Sequence, residues 1–209
     1  VYFFAGYKKS DEFPEIIHLE GCLEDVQSAT TKQFRGLKWM VQNCPAQSYM
    51  MFGSDTYPNI PNLLVMLDKY DLKTDLYIGG HGESRHGGYR QVGTENVYFH
   101  SGGAGFILTR PAAEKIARFT EEILFAWPHI CLIGGVNYLA PACDVNIAYF
   151  CARLDIGPAF EKYFYGCNYQ GIEIGGRPCC PVVTDKICSC HHMTPKHMRD
   201  YYALLTSDK

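Results

Sequence analysis

Short apolar runs of strand length alternate with stretches of helical periodicity over the first two thirds of the chain, and this alternation constrains the fold more than any other feature. Val1 to Ala5, Ile16 to Leu19, Tyr49 to Phe52 and Leu76 to Ile78 read as strands. Between them, Ser28 to Asn43 carries Phe34, Leu37 and Val41 at helical spacing. Cys44-Pro45 closes that helix, because proline disfavours helical geometry in the residue before it. Pro61 to Lys69 predicts a second helix. Elements in this order predict an α/β fold, a sheet with helices packed on it.

Further along, glycine, histidine and arginine dominate Gly79 to Gly105, a composition that predicts a long functional loop. Phe106-Ile107-Leu108 then resumes a buried strand. Thr109 and Pro111 open a helix running through Phe119, with proline in the first turn where its missing N–H costs nothing. Thr194 and Pro195 repeat that signature before Met198, Tyr202 and Leu205, which share one helical face. No repeat or linker divides the chain, so residues 1–209 read as a single domain with a cysteine-rich segment at about 165–209.

With 47% hydrophobic and 20% charged residues among 209, the chain can bury a core and does not have the composition of a disordered one. Its 19 basic and 22 acidic side chains give a formal charge of −3, which excludes nucleic acid as a default partner. Apolar runs such as Asn62 to Leu67 fall far short of the roughly 20 residues that cross a bilayer. Ten cysteines point to disulfides in a secretory compartment. Cys131 with Cys151 is one candidate pair and the 179–190 cluster holds another, although spacing alone fixes no connectivity. Cys179, Cys180, Cys188 and Cys190 with His191, His192 and His197 also have zinc-ligand chemistry, but lack a C-x-x-C knuckle.

Gly53-Ser54-Asp55-Thr56-Tyr57 follows the Tyr49 to Phe52 strand directly, which puts Asp55 where open α/β sheets bind ligands. A turn residue or helix cap is the simpler reading of such an aspartate. Val145, Ala148, Tyr149 and Ala152 recur at helical spacing, so Asp144 falls at a helix amino end, where the dipole favours an ionised carboxylate and where capping is its plainest role. Gly102, Gly103 and Gly105 allow close backbone approach to a ligand but do not make a dinucleotide fingerprint. His81, Arg85, His86 and Arg90 read as solvated loop residues.

Several segments together resemble the β-1,3-glycosyltransferase superfamily, glycosyltransferase family 31, which includes the fringe, core 1 galactosyltransferase and β-3-galactosyltransferase enzymes. Gly36-Leu37-Lys38-Trp39-Met40-Val41 with Cys44 is similar to the family's lysine-tryptophan helix. Asp55-Thr56-Tyr57 resembles the end of its aspartate-rich metal motif, and Ser101 through Leu108 its glycine-rich signature. Asp144-Val145 with Ile147 resembles the segment carrying the catalytic base, and Ser189 through Pro195 a late segment whose histidine binds metal. These segments occur in the family's order across almost the whole chain.

The resemblance implies a GT-A type fold, a mixed central sheet flanked by helices, with the family's first strand and helix upstream of Val1, so that the chain is expected to be a fragment of the catalytic domain. It implies an inverting glycosyltransferase that uses a UDP-sugar donor, a glycan or glycoprotein acceptor and manganese, which the ligand types alone do not distinguish from magnesium. Asp55 and His191 are then the metal ligands, with His192 as the fallback for His191. Asp144 is the general base, and Gly53, Ser54, Asp55, Gly102 and Gly103 contact the donor. The family's location further implies the Golgi lumen, reached through a membrane anchor upstream of Val1. Two departures stand out: Gly53 and Ser54 replace acids of the metal motif, and Cys143 replaces a commonly acidic neighbour of Asp144. These departures favour a catalytically silent relative that binds glycans or supports folding, and the cysteines a zinc-stabilised interaction module, as alternatives.

Overall fold

The computed structural model describes residues 1–6, 15–80, 87–171 and 186–207. Two short strands, β1 (Phe3–Ala5) and β2 (Ile16–His18), pair in parallel before helix α1 (Ala29–Asn43). Helix α1 buries Phe34 and Leu37 and ends where Cys44-Pro45 requires it to. Its Trp39 ring meets Tyr2 and Phe4 edge-on, which ties the first strand to the helix.

The central sheet has four strands in the order β3 (Ser48–Met51), β8 (Phe106–Thr109), β5 (Leu76–Gly80), β9 (Gly157–Glu161). It is mixed, because β8 runs antiparallel to both neighbours while β5 and β9 are parallel. Side chains alternate across it as the strand period demands. Tyr49, Tyr77, Phe106 and Leu108 enter one core with Phe34 and Leu37, with Ile116 of α3 (Arg110–Arg118), Trp127 of α4 (Thr120–Ile133) and Val145 and Ile147 of α5 (Cys143–Arg153). Ile78 and Ile107 face the other way, onto Leu63 and Met66 of α2 (Ile60–Leu67) and onto Phe164. Each large side chain so buried contributes about 1.5–3 kcal/mol.

A second sheet orders β10 (Phe164–Tyr165), β11 (Ser189–Cys190) and β4 (Tyr57–Pro58), and the last helix, α6 (Pro195–Thr206), packs Tyr201 against Tyr57. Thr194 caps α6 by accepting the His197 N–H, and the His197 side chain answers at the Thr194 backbone.

Two expectations need correction, and one helix lies where none was expected. Gly79 to Gly105 is not one long loop: β6 (Gly87–Val92) and β7 (Glu95–His100) form an antiparallel hairpin within it, with Tyr89 opposite Tyr98 and Arg90 opposite Val97. His81, Arg85 and His86 lie outside the described residues. Helix α4 was not foreseen, since Pro128 interrupts its pattern and apolar side chains surround it. The Cys131–Cys151 bridge is not formed. Both are free thiols in the same apolar core, where burial pushes Cys131 up to about 11 and raises Cys151 as well. Cys179 and Cys180 lie outside the described residues. No helix among the described residues is long and apolar enough to cross a membrane.

Candidate functional site

The sheet topology gathers the functional segments at one end. Met51, the last residue of β3, pairs with Phe106, the first of β8, and Gly79 near the end of β5 pairs with the same residue. The turn after β3 and the glycine turn before β8 therefore meet. The amino end of α5 and the exit of β11 complete the group.

After β3, Gly53 accepts the Thr56 N–H at 3.1 Å, closing a turn that presents Asp55 with its side chain half exposed. The Asp55 carbonyl accepts from Met193 N at 2.8 Å, so this turn is bonded to the segment that carries the histidines. Ser54 is exposed in the same turn. An ideal Cβ on Gly53 would stand 2.9 Å from Asp55 Oδ1, so glycine leaves room for the carboxylate to fold back. His191 donates its backbone N–H toward the carbonyls of Tyr165 and Cys167, each at 3.0 Å, which fixes it at the end of β11.

His191 Nε2 lies 3.2 Å from Asp55 Oδ2. The His192 ring stacks on that of His191 with centroids 3.7 Å apart, and its Nδ1 stands 3.8 Å from the same carboxylate oxygen. One ligand atom from each of the three residues falls within 4.8 Å of the others. Burial holds the His191 pKa below the usual histidine value, with Asp55 pulling upward and His192 adding to the lowering. A neutral imidazole is the form a cation needs. Among the described residues His192 Nδ1 is buried with no hydrogen-bond partner, and a cation could coordinate its lone pair. A carboxylate with two such imidazoles fits a divalent metal. Among the described residues, no cysteine joins a metal-capable group.

Asp144 lies in the first turn of α5. The N-cap position belongs to Ala142, so Asp144 is not the cap residue that its place in the sequence first suggests. Its Oδ1 accepts Val145 N–H at 2.9 Å and its Oδ2 accepts Gly102 N–H at 3.0 Å. Burial raises its pKa, and these N–H bonds and the charge of Arg90 pull against the rise without cancelling it. Cys143 beside it is pushed up to about 12, chiefly by burial, and stays a neutral thiol.

The glycine turn joins the two groups. An ideal Cβ on Gly102 would stand 3.2 Å from Asp144 Cβ, and one on Gly103 would stand 2.2 Å from His191 Cε1. Gly105 adopts φ 83°, in the left-handed region that favours glycine, and donates to the Gly102 carbonyl at 3.2 Å. Thr56 Oγ1 donates to the Gly103 carbonyl at 2.6 Å and Ser189 Oγ to the Ala104 carbonyl at 2.5 Å. Both residues fall within motifs singled out in the sequence, which assign their hydroxyls no role. Their only signal is adjacency, Thr56 to Asp55 and Ser189 to the histidine segment.

A family model described as Fringe-like matches residues 21–135, more than half of the chain. The chain belongs to the Fringe-like family. Its mixed α/β architecture is consistent with the GT-A-like glycosyltransferase fold expected of a Fringe-like protein. The match takes in Asp55 and the glycine turn, and stops short of Asp144 and His191. Among relatives, the human (Homo sapiens) N-acetyllactosaminide beta-1,3-N-acetylglucosaminyltransferase 4 is 23% identical over 214 residues, covering 96% of this Fringe-like chain and 51% of the relative. The chain thus spans about half the length of that relative.

Proposed function

We propose that the chain forms part of an inverting, metal-dependent glycosyltransferase that moves a sugar from a UDP-sugar to a hydroxyl of a glycan or glycoprotein, forming a β-1,3 linkage. The observation that carries this reading is the Gly102-Gly103 turn, whose successive residues touch Asp144 on one side and His191 on the other. A proton acceptor and a cation-binding pair are thereby held at one sheet end. The family match and the relative's printed activity support the same reading.

In this mechanism, Asp144 accepts the proton of the acceptor hydroxyl as that oxygen bonds to the anomeric carbon from the face opposite the diphosphate. The bond from the anomeric carbon to the diphosphate oxygen breaks with its electron pair, UDP leaves, and the configuration inverts. A single displacement of this kind needs no protein nucleophile. Asp55 and His191 would hold manganese, which when bound supplies charge neutralisation for the departing diphosphate. Burial raises the Asp144 pKa, so the carboxylate takes a proton more readily than a solvated one. The absence of side chains at Gly102 and Gly103 lets Asp144 and the His191 ring pack directly against this turn. The Golgi lumen is the proposed compartment, on the strength of the relative's glycan chemistry.

The test is UDP release from a panel of UDP-sugars, with manganese and with a chelator. Manganese-dependent release with a glycan acceptor supports the reading. Donor binding without release in any pairing favours the second reading, a silent relative, for which the specific observation is the exposed Ser54 and the side-chain-free Gly53 where the family motif has acids.

A further inference from the structure

Taking Asp55 and His191 as cation ligands, as proposed above, we infer that His192 is a second imidazole ligand of the same cation, so that the site selects first-row transition metals over magnesium and calcium. Consecutive residues leaving a strand ordinarily direct their side chains to opposite faces. His191 and His192 follow directly on β11, yet their rings stack at 3.7 Å with an interplanar angle of 30°. The backbone explains how: His192 adopts φ 54°, in the left-handed region that non-glycine residues visit rarely. That conformation turns the second ring onto the side of the first, toward Asp55.

The distances suit one ion. Two ligands on opposite sides of a cation bound at about 2.1 Å are about 4.2 Å apart. The separations from Asp55 Oδ2, 3.2 Å to His191 Nε2 and 3.8 Å to His192 Nδ1, fall inside that limit, and the three ligand atoms all lie within 4.8 Å of one another, so a small ring movement brings the set onto one ion. Among the described residues, His192 Nδ1 is also buried without a hydrogen-bond partner, which leaves this nitrogen open to coordinate. Two imidazoles with one carboxylate favour transition metals, whereas magnesium prefers oxygen ligands and retained waters.

The experiment uses Mn2+ as the probe in pulsed EPR, which counts coordinating nitrogens, together with displacement of Mn2+ by Mg2+. The parent protein should show two inequivalent histidine nitrogens. His192→Gly, which suits φ 54° and should keep the fold by circular dichroism, should show one, and Mg2+ should displace Mn2+ from it at least about tenfold more readily. Two nitrogen couplings and unchanged displacement in His192→Gly would overturn the inference. If the parent shows one nitrogen that is lost only in His191→Ala, His192 is not a ligand but the Asp55–His191 reading stands. If Mn2+ does not bind the parent, or binds Asp55→Ala as tightly, both readings fall.

Discussion

Gly103 lies so close to the His191 ring that an ideal Cβ there would stand 2.2 Å from Cε1, 2.3 Å from Nδ1 and 2.7 Å from Nε2. Gly103→Ala must therefore displace the imidazole from Asp55. Because the clash is with a side chain that can rotate, stability should change by less than about 1 kcal/mol. Manganese affinity should fall at least about tenfold. Calorimetric titration alongside a thermal melt checks both, and a variant that binds manganese as the parent does would show that the ring position is not needed.

Asp55→Ala removes the carboxylate that both histidines face. The side chain is half exposed, so the loss in folding stability should be within about 0.5 kcal/mol. Metal-stimulated transfer should disappear. Parallel denaturant melts and transfer assays across a manganese series measure the two effects, and full stimulation in the variant would remove Asp55 from the metal site.

Burial of Asp144 makes activity pH-dependent in a defined direction. Its pKa is raised in the folded state, so the acid limb of the pH–rate profile should lie higher than a solvated aspartate would place it. The same shift means that Asp144 favours folding below its unfolded pKa and that this contribution is lost as pH rises through the folded value. Arg90 lowers the Asp144 pKa through its charge, so Arg90→Ala should move the acid limb further up, modestly because Arg90 is exposed. A downward movement in kcat profiles would reverse the assignment.

Much of the frame was legible in the sequence because local rules decided it. Phe34 and Leu37 with the Cys44-Pro45 stop define α1, and Thr194-Pro195 defines the start of α6. The β6–β7 hairpin was hidden because glycine and histidine at Gly79 to Gly105 resemble a loop, while its alternation is carried by few residues, Val92 and Val97 inward and Tyr89 outward. Helix α4 was hidden by Pro128 and an apolar surface on which Phe125, Leu132 and Ile133 remain exposed. Asp55 and Asp144 could be singled out from the ends of a strand and a helix. Their spatial relation could not, because the Gly102-Gly103 turn between the two groups depends on the pairing of β3 with β8. His192 stood only as a substitute for His191, since its left-handed φ leaves no trace in composition. The Cys131–Cys151 bridge failed as an expectation because residues flanking one segment need not face each other, and these two thiols serve as core side chains.

Asp144→Asn, followed by donor binding and turnover in the same preparation, tests the account most directly. Asparagine keeps the size of the side chain and an acceptor for the Gly102 or Val145 N–H, but cannot take the acceptor's proton. Donor affinity should stay near the parental value while turnover falls by roughly 10²- to 10⁴-fold, the range for loss of a general base. Turnover at the parental rate would contradict the account and leave Asp144 a structural residue at the start of α5.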